Sequence, residues 1–553
     1  MEKIWIKTYP PGIPAEISID HLDSLVTLFE DACRKYADQV AYISMDREMT
    51  YGELDRLSRD FAGWLQSIGL GKGERVALMM PNLLQYPVAL FGTLRAGCVV
   101  VNVNPLYTPR ELEHQLKDSG AKVIVIVENF AHTLEQVIAK TEIKQVIVTP
   151  MGDLLGMVKG AVVNFVVRHV KKMVPAWSLP GSININAALA AGRRHGTEPV
   201  KLGHADLAFL QYTGGTTGVS KGAMLTHANI ASNVMQAHAW IKPVIDDGKE
   251  FIVTALPLYH IFALTANCLT FLMIGARNLL IVNPRDMPGF IKEWAKYPIS
   301  VATGVNTLFN GLLNHPDFAK LDFSTMKLSL GGGMAVQAPV AERWQKVTKS
   351  PLLQAYGLTE TSPAATINPL DLKEFNGSIG LPISSTDLSV RDDTGKELAI
   401  GEIGEICIRG PQVMAGYWNR PEETANVIYA DGFLRTGDMG YVDALGFFFI
   451  VDRKKDMILV SGFNVYPNEI EEVVAMHEGV GDVAAIGVPD DNTGEAVKIF
   501  VVRKDPNLTP EEIIAHCRKH LTGYKVPKQV EFRPDLPRTN VGKILRRALK
   551  EGA

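Results

Sequence analysis

The sequence predicts an α/β protein built from two stacked α/β halves. A helical pattern from Tyr51 to Ile68 precedes an apolar strand at 75–79, and a second helical stretch precedes a strand at 98–102. Further short strands are expected at 122–127, 145–148 and, after the pattern restarts near residue 205, at 207–212, 251–255, 277–282 and 299–303. Strands that alternate with helices are typical of parallel sheets covered by helices. At 553 residues the chain also exceeds one ordinary core, so more than one domain is expected.

The C-terminal part of the chain has a different sequence pattern. From about 376 to 450, short strands alternate with Gly and Pro turns, which predicts a small β-barrel-like subdomain. The charged cluster Asp452–Asp456 then interrupts the apolar strand 447–451. We place the domain boundary at this cluster, with an N-terminal domain at 1–451 and a small α+β domain at 452–553.

Composition excludes several classes of protein. A net charge of −4 gives no reason to expect a nucleic-acid partner. The five cysteines are scattered without metal-ligand spacing, which indicates reduced, buried thiols in a cytosolic protein. The N-terminus lacks the apolar core of a signal peptide. No uninterrupted apolar run reaches the 18 or so residues of a membrane span.

Residues 154–177 come nearest to a membrane-active segment. They hold Leu, Met, Val and Phe broken by basic residues, and they end at Trp177. Such a segment can lie in a bilayer interface, so a peripheral position on the cytoplasmic face of the membrane is one interpretation. The other, which we favour from sequence, is an amphipathic helix packed on the protein.

A glycine- and hydroxyl-rich loop is the most informative motif. Its residues are Tyr212, Thr213, Gly214, Gly215, Thr216, Thr217, Gly218, Val219, Ser220, Lys221 and Gly222, followed by Ala223. Unobstructed backbone N–H groups, hydroxyls and one ammonium are the groups that a polyphosphate needs. A Walker A loop is excluded, because Ser220 precedes Lys221 and Gly222 follows it. Alone, the loop fits a surface turn as well, ahead of a helix capped by Thr226.

Five further segments follow the loop in a recognisable order. They are Gly331-Gly332-Gly333, Tyr356-Gly357-Leu358-Thr359-Glu360, Thr436-Gly437-Asp438, Asp452–Asp456 and Asn540-Val541-Gly542-Lys543-Ile544. Together the six resemble the motif series of the adenylate-forming superfamily, which includes acyl-CoA synthetases, luciferase and peptide-synthetase adenylation domains. The resemblance covers nearly the whole chain. It is greatest to the bacterial long-chain fatty acyl-CoA synthetases, as in segments 79–116 and 452–471.

The resemblance implies that the N-terminal domain is an AMP-binding domain that takes ATP. The loop would hold the β- and γ-phosphates, chiefly through Thr213, Thr216, Thr217 and Lys221. In the second and third segments, Gly331, Gly332 and Gly333 would let the purine lie against backbone and Tyr356 would stack on it. Gly357 and Leu358 complete that strand end. Thr359 would bond the α-phosphate, and Glu360, with Thr217, would hold Mg²⁺. Asp438 would accept both ribose hydroxyls, with Arg453 as a second ribose contact.

The resemblance also implies that the C-terminal domain moves. Asp452, Lys454 and Lys455 match the interdomain hinge. Lys543 matches a catalytic lysine that reaches the α-phosphate only during adenylation, which would stabilise one transition state selectively. Coenzyme A would then pass near Ser461, Gly462 and Phe463.

His260 is the remaining catalytic candidate. It follows Leu256-Pro257-Leu258-Tyr259 at the position of the family's acyl-pocket motif, where it would orient the carboxylate or gate the pocket. A packed core histidine explains it equally well. The apolar stretch 261–274 after it can wall an acyl tunnel or simply pack in the core.

The leading hypothesis is therefore a long-chain fatty-acid–CoA ligase that feeds fatty-acid uptake and degradation. Its partners would be a long-chain fatty acid, ATP and coenzyme A, and a homodimer stays open. Phe433 and Arg435 replace the Trp and His usual in the family pattern before Asp438, which leaves chain-length preference less certain. The alternatives are the same adenylation with a medium-chain or aryl acid, and a membrane-associated fatty-acid-binding or uptake protein in which ATP is regulatory.

Overall fold

The computed structural model describes residues 3–213, 220–461, 463–490, 493–539 and 542–551. After a short 3₁₀ helix at Ile4–Thr8, the chain forms a helix and a hairpin, and the two hairpin strands belong to the largest sheet. These elements are α1 (Leu25–Lys35), β1 (Val40–Ser44) and β2 (Arg47–Thr50). They begin a nine-stranded sheet that is completed only after residue 250.

A seven-stranded sheet follows, in the order β7-β6-β5-β3-β4-β8-β9. Its elements are α2 (Tyr51–Ser67), β3 (Arg75–Met79), α3 (Gln85–Arg95), β4 (Val99–Asn102), α4 (Pro109–Ser119), β5 (Val123–Val127), α5 (Ala131–Glu135), β6 (Gln145–Thr149), α6 (Met157–Phe165), β7 (Ile183–Asn184), α7 (Ile185–His195), β8 (Leu207–Thr213) and β9 (Lys221–Thr226). The strands are parallel except for the β8–β9 hairpin. Strand β5, Val-Ile-Val-Ile-Val, is buried along its whole length, as expected for a parallel strand covered on both faces.

The nine-stranded sheet has the order β16-β15-β14-β13-β12-β10-β11-β1-β2. Its remaining elements are α8 (His227–Ile241), β10 (Phe251–Thr254), α9 (Phe271–Met273), β11 (Arg277–Leu280), α10 (Met287–Trp294), β12 (Val301–Gly304), α11 (Asn306–Asn314), β13 (Leu328–Gly331), α12 (Ala338–Thr348), β14 (Leu352–Gly357), β15 (Ala364–Ile367) and β16 (Leu381–Pro382). The prediction of two α/β halves is confirmed, with predicted strands falling within a few residues of β3 to β6, β8 and β10 to β12.

Helix starts follow local capping chemistry. The Thr226 hydroxyl accepts from the N–H of Asn229, whose side chain accepts from the N–H of Thr226, and this capping box begins α8 as the sequence predicted. Thr108 and Glu111 form the same box before α4, which has Pro109 in its first turn. Each box satisfies backbone donors that the first helical turn leaves without partners.

The β subdomain differs from the predicted barrel. It contains β17 (Asp387–Arg391), β18 (Gly404–Arg409), α13 (Pro421–Val427), β19 (Leu434–Val442) and β20 (Phe448–Arg453). The four strands pair antiparallel in chain order, which leaves β17 and β20 at opposite edges of an open sheet. Strand β20 also runs through Asp452 to Arg453, so the charged cluster does not interrupt it, because Met439 and Asp438 of β19 still pair with these residues.

The C-terminal elements form a separate five-stranded sheet with helices. They are β21 (Ile458–Val460), β22 (Phe463–Val465), α14 (Pro467–Ala475), β23 (Val480–Asp490), β24 (Gly494–Arg503), α15 (Pro510–His520), β25 (Gln529–Phe532) and α16 (Arg546–Lys550). Apolar residues of these strands, with Ile470, Val474 and Ile513 of the helices, form their own buried cluster. The expected α+β composition of this region is confirmed.

The five cysteines are buried and free, as predicted. Among the described residues, no helix is both long enough and apolar enough to cross a bilayer.

Within residues 154–177, helix α6 does pack on the protein, as we favoured from sequence, but the protein covers only part of its apolar surface. Helix α6 and a π-helical turn at Val166–Val170 place Gly160 and Val167 against the protein, and Gly160 lies too close to Gly152 O for a Cβ to fit. The Arg168 guanidinium binds buried Glu128 at 2.5 and 2.8 Å. Six other apolar side chains face outward: Met157, Val158, Val162, Phe165, Val170 and Met173 are exposed, Met157 to 92%.

Candidate active site

The predicted phosphate loop joins the ends of the β8–β9 hairpin. Thr213 and Lys221 are paired across the hairpin, and the Ser220 hydroxyl donates to Thr213 O at 2.7 Å. The predicted residues Gly214, Gly215, Thr216, Thr217, Gly218 and Val219 lie outside the described residues. Tyr212 donates to Asp118 at 2.7 Å, and its ring lies so close to Gly222 that a Cβ there would approach within 3.1 Å. The hairpin therefore presents the two ends of the loop at a defined place, with buried Ala223 following in β9.

Lys221 is linked to the Tyr356–Glu360 segment through Tyr417. The Lys221 ammonium forms an ion pair with Glu423 and lies 5.1 Å from the centroid of the Tyr417 ring. The Tyr417 hydroxyl donates to Oε1 of Glu360 at 2.7 Å. These contacts bring the lysine of one motif and the carboxylate of another to the same region.

Asp438 is a buried carboxylate with two strong partners. Strand pairing places Arg453 of β20 opposite Asp438 of β19, and Arg453 Nε lies 2.6 Å from Oδ1. The Tyr356 hydroxyl, at the end of β14, donates to Oδ2 at 2.6 Å. Burial raises the pKa of Asp438, and the Arg453 guanidinium opposes that shift. A carboxylate has about four acceptor positions, so both oxygens retain capacity for vicinal hydroxyls.

The glycine triplet packs closely on neighbouring residues of the N-terminal domain and ends near Lys543. A Cβ at Gly331 would come within 2.5 Å of Val336, and one at Gly332 within 3.0 Å of the Phe262 ring. Gly333 has a φ of +77°, which side chains rarely adopt, and its Cβ position is 4.0 Å from Cε of Lys543. The triplet therefore leaves room for a lysine reaching over it.

Lys543 of the C-terminal segment reaches the N-terminal site. Desolvation of its partly buried ammonium lowers the pKa, Arg453 lowers it further, and Asp438 and Glu360 oppose the shift. A Cβ at Gly542 would approach Thr307 and Val305, so the backbone itself lies against the N-terminal domain. The structure thus brings together Lys543, Glu360, Asp438 and Arg453, which come from four separate motifs.

Thr359 and His260 flank this cluster. Thr359 begins a 3₁₀ turn, Thr359–Thr361, directly after β14, which orders the strand end that includes Gly357 and Leu358. Burial lowers the pKa of His260 to about 3, and the nearby Lys543 ammonium lowers it as well. His260 Nδ1 accepts from the N–H of Phe262. A neutral imidazole can form a hydrogen bond with a substrate carboxylate. Because it carries no charge, it does not compete with the Lys543 ammonium for an ion pair with that carboxylate.

The predicted hinge residues contact both the C-terminal helix α14 and the β subdomain. Asp452 is fully buried, and its Oδ2 accepts from the N–H of Asn468 in the first turn of α14 at 2.7 Å. Lys454 instead binds Asp393 at 2.5 Å and Glu405 at 3.4 Å, both in the β subdomain. Desolvation lowers the pKa of Lys455, with Arg453 adding to the effect. Within two residues the chain changes partners from the C-terminal helix to the β subdomain.

The predicted coenzyme A residues Ser461 and Phe463 contact other residues of the C-terminal region, Thr493 and Tyr524. Ser461 has a φ of +51°, and its N–H donates to Thr493 O at 2.8 Å. Phe463 is 55% exposed and stacks on Tyr524 with ring centroids 4.8 Å apart. Gly462 lies outside the described residues.

The two departures from the family pattern lie in the β subdomain. The Phe433 ring is covered by the guanidinium groups of Arg391 and Arg409, at 4.2 and 4.6 Å from its centroid. Arg435 binds Glu405 at 3.1 Å. These contacts explain Phe433 and Arg435 by packing and charge pairing within the sheet.

Sequence reasoning missed Tyr417 and Glu423. Both follow the turn at Gly416 in a segment that resembles an ordinary surface connection, and the hydrogen bond from Tyr417 to Glu360 spans 57 residues. A local pattern carries no signal for such a contact, so these residues emerge only from the three-dimensional arrangement.

The site fits a magnesium ion held mainly by substrate. Within the described ranges, no group of three or more His, Cys, Asp or Glu side chains is arranged to hold a metal. Glu360 supplies one hard oxygen donor beside Lys221 and Tyr417. Mg²⁺ commonly binds through one or two carboxylates together with substrate phosphates, so a single carboxylate at this place suits it.

Comparison with known proteins identifies the family of the chain. Residues 29–418 match the model of the AMP-binding enzyme family, and residues 469–543 match that of the AMP-binding enzyme C-terminal domain. The chain belongs to the AMP-binding enzyme family.

Two curated proteins and one solved structure illustrate which members of the family the chain is similar to. The chain is 60% identical over 552 residues to the long-chain-fatty-acid–CoA ligase of Yersinia pestis, covering 100% of this chain and 98% of the relative. It is also 60% identical over 554 residues to the enzyme of that name from Salmonella typhimurium, covering 100% and 99%. The crystal structure of the anthranilate CoA ligase AuaEII with anthranoyl-AMP shares the fold, with a TM-score of 0.84 at 24% identity over 98% of each chain.

Proposed function

We propose that this protein is an AMP-forming ligase that converts long-chain fatty acids to their CoA thioesters. An oxygen of the fatty-acid carboxylate attacks the α-phosphate of ATP, which forms an acyl-adenylate and releases diphosphate. The thiol of coenzyme A then attacks the acyl carbon, and AMP leaves. The names of the relatives that match the whole chain support the long-chain acid as the substrate.

The observation that carries the proposal is the approach of Lys543 to Gly333, where its Cε lies 4.0 Å from the Cβ position, on the same side as the Arg453–Asp438 ion pair with which it interacts. Negative charge accumulates on the phosphates as the first step proceeds, and an ammonium held in a partly buried place stabilises that charge more than one in bulk water. The lysine is contributed by the C-terminal segment, so its presence depends on how that segment is docked.

The remaining site residues each bind a different part of ATP. Tyr356 stacks on adenine, Asp438 accepts the ribose hydroxyls, and Arg453 supports them. Thr359 donates to the α-phosphate, while the phosphate loop up to Lys221 holds the terminal phosphates. Glu360, with Thr217 of the loop, would hold Mg²⁺, which supplies charge neutralisation at the phosphate oxygens when bound.

An acyl site next to His260 agrees with the packing there. The segment 261–274 begins directly after His260, includes a π-helical stretch at Ala263–Thr270, and is buried against α8. Apolar side chains that continue from a carboxylate-orienting group are suitable walls for an alkyl chain. Neutral His260 would orient the carboxylate at the mouth of this site.

The contacts of the hinge support a change of domain orientation between the two steps. Residues 452–456 would form the pivot between the AMP-binding domain at 1–451 and the mobile domain at 452–553. Rotation would withdraw Lys543 and bring Ser461, Gly462 and Phe463 to the acyl-adenylate to guide the pantetheine of coenzyme A. The exposed ring of Phe463 is available for such a contact.

The test is AMP formation from ATP with palmitate, octanoate, acetate or benzoate, each with and without coenzyme A. We expect strong CoA-dependent turnover with palmitate and weak turnover with acetate and benzoate. A maximum with octanoate or benzoate would keep the adenylation chemistry but overturn the long-chain assignment. A fatty-acid-binding protein, the rival interpretation, would bind palmitate without AMP formation and would retain all function in Lys543→Ala and Glu360→Gln.

We further propose that the outward face of residues 157–173 binds an anionic lipid surface. Its exposed apolar residues are flanked by Lys159, Lys171 and Lys172, and the Arg168–Glu128 pair fixes the orientation of the segment. Apolar insertion combined with basic residues is the chemistry by which helices attach to bilayer interfaces. Peripheral attachment would place the enzyme where its substrate partitions.

Vesicle co-sedimentation tests this attachment. Wild-type protein should sediment with vesicles containing phosphatidylglycerol and much less with pure phosphatidylcholine, and Phe165→Ser should weaken binding several-fold. Leu445→Ser is the matched control, because Leu445 is 61% exposed compared with 60% for Phe165 but lies in the β subdomain. Equal binding by wild type and Phe165→Ser would overturn the proposal.

A further inference from the structure

Arg546 occupies the junction between the Lys543 segment and the hinge. Its guanidinium Nη2 lies 2.8 and 2.9 Å from the two carboxylate oxygens of Glu471 and 2.8 Å from Oδ1 of Asn468. Nη1 lies 3.4 Å from Asp456 and 3.8 Å from Asp452. One side chain, three residues after Lys543, thus contacts helix α14 and both ends of the hinge cluster.

The charged groups around Arg546 are more buried than those of an ordinary surface ion pair, so their geometry is more restricted. The side chains of Arg546, Glu471 and Asp452 are 16%, 13% and 0% exposed. Burial alone would lower the pKa of Arg546, but Glu471 and Asp452 hold it above its ordinary value. Planar guanidinium groups bind carboxylates in a fixed geometry that a lysine cannot reproduce. The position of Arg546 is therefore tightly determined relative to α14.

Backbone hydrogen bonds hold both sides of Lys543, and on the side of Arg546 the N–H of Leu545 donates to Pro537 O at 2.8 Å. Thr539 N–H donates to Lys543 O at 2.6 Å, and Lys543 N–H donates to the Thr539 hydroxyl at 3.0 Å. Arg538 Nη1 donates to Gly542 O at 2.8 Å, and its other nitrogen pairs with Asp482. The Lys543 turn is thus held at its start by Arg538 and at its end by Arg546.

We propose that Arg546 is a positioning residue for adenylation, which couples the placement of Lys543 to the conformation of the hinge. This role rests on the proposed function of Lys543. Asp452 accepts from the N–H of Asn468, and Arg546 binds the side chain of the same Asn468. The hinge, the start of α14 and the Lys543 turn therefore form one continuous network, and a change at the hinge is passed to the lysine.

The proposal predicts a selective loss in Arg546→Lys. Acyl-AMP formation should fall about 10- to 100-fold, because small displacements of a reacting group cost rate steeply. Thioester formation from purified acyl-AMP should change less than about threefold, since Lys543 is withdrawn in that step. In a Lys543→Ala background, Arg546→Lys should cause no further loss of acyl-AMP formation, because there is no lysine left to position.

Two further variants separate positioning from folding. Arg547→Lys is the matched control: this neighbour is 63% exposed, pairs with Glu551 one turn later, and should leave both half-reactions unchanged. Glu471→Gln, which leaves Arg546 in place but weakens its main partner, should repeat the selective loss. Retained thioester formation reports a folded C-terminal domain in each case.

Equal losses in both half-reactions, or the same fold loss with and without Lys543, would overturn the role of Arg546. Absence of acyl-AMP formation by the wild type would instead overturn the proposed function.

Discussion

The phenol of Tyr356 donates a 2.6 Å hydrogen bond to Oδ2 of Asp438, so the ring proposed to stack on adenine also orients the carboxylate proposed to bind the ribose. Burial raises the pKa of Tyr356 well above its usual value, and Asp438 adds to the shift, which keeps the phenol a donor. Base and sugar recognition are therefore linked through one hydrogen bond.

Tyr356→Phe should reduce discrimination between ATP and 2′-deoxyATP. Loss of a hydrogen bond to a charged group typically costs about 1.5–3 kcal/mol. We expect kcat/KM for ATP to fall about 10- to 150-fold, which corresponds to that range, and kcat/KM for 2′-deoxyATP to fall less. Tyr51→Phe is the control, because its buried hydroxyl donates to Ala276 O at 2.8 Å away from the site. An unchanged ratio of the two nucleotides would contradict the coupling.

Glu360→Gln should raise the magnesium concentration needed for half-maximal acyl-AMP formation. A neutral amide is a weaker ligand for a hard cation than a carboxylate, so we expect a shift of at least tenfold. Magnesium titrations at saturating ATP measure it. Glu402→Gln removes a carboxylate that accepts from the Ala399 N–H and should leave the titration unchanged. Identical titration curves for wild type and Glu360→Gln would refute the assignment.

The alkaline limit of acyl-AMP formation should lie below pH 10.5, the ordinary lysine pKa. Desolvation lowers the pKa of Lys543, so its ammonium, and the rate that depends on it, is lost as pH rises through that lowered value. The profile of kcat/KM for ATP reports this group in the free enzyme. Lys543→Arg, whose guanidinium stays protonated, should shift the limit upward even at reduced activity. An unshifted limit would assign it to another group.

His227 should make the protein less stable at mildly acidic pH. Burial lowers its pKa to about 4 from 6.5, and Nδ1 accepts from the N–H of Leu25 at 3.2 Å. Between these values the unfolded chain binds a proton that the folded protein does not, so stability falls as pH drops below 6.5. Through His227 alone, the free energy of unfolding falls by about 2 kcal/mol when the pH is lowered to 5.

Thermal unfolding at pH 7 and pH 5 measures that effect. His227→Asn, which retains an acceptor for Leu25 N–H, should show a smaller change in Tm between the two pH values than the wild type. Exposed His195→Asn should behave like the wild type. Parallel changes in the wild type and His227→Asn would show that other groups dominate the acid response.

Several elements could be predicted because their signals are local. Strand β3 (Arg75–Met79) and the cap of α8 at Thr226 occur as the sequence indicated. The predicted barrel was wrong, because sheet closure depends on which edges meet and not on the pattern of any one strand. A helix within residues 154–177 was predicted, but its apolar pattern does not show how much of the apolar surface the protein covers.

The alternation of strands and helices, the order of the six motifs and the resemblance behind the proposed chemistry can all be recognised in the amino-acid sequence. Periodicity, capping residues and glycine act within a few residues, so they can be recognised along the chain. Three relationships depend on packing in three dimensions: Tyr417 binds Glu360, Lys543 lies near Gly333, and Arg546 joins the Lys543 segment to the hinge. Those relationships link residues that are far apart in sequence, and they arise because packing of separate sheets and domains brings side chains together that no local pattern connects.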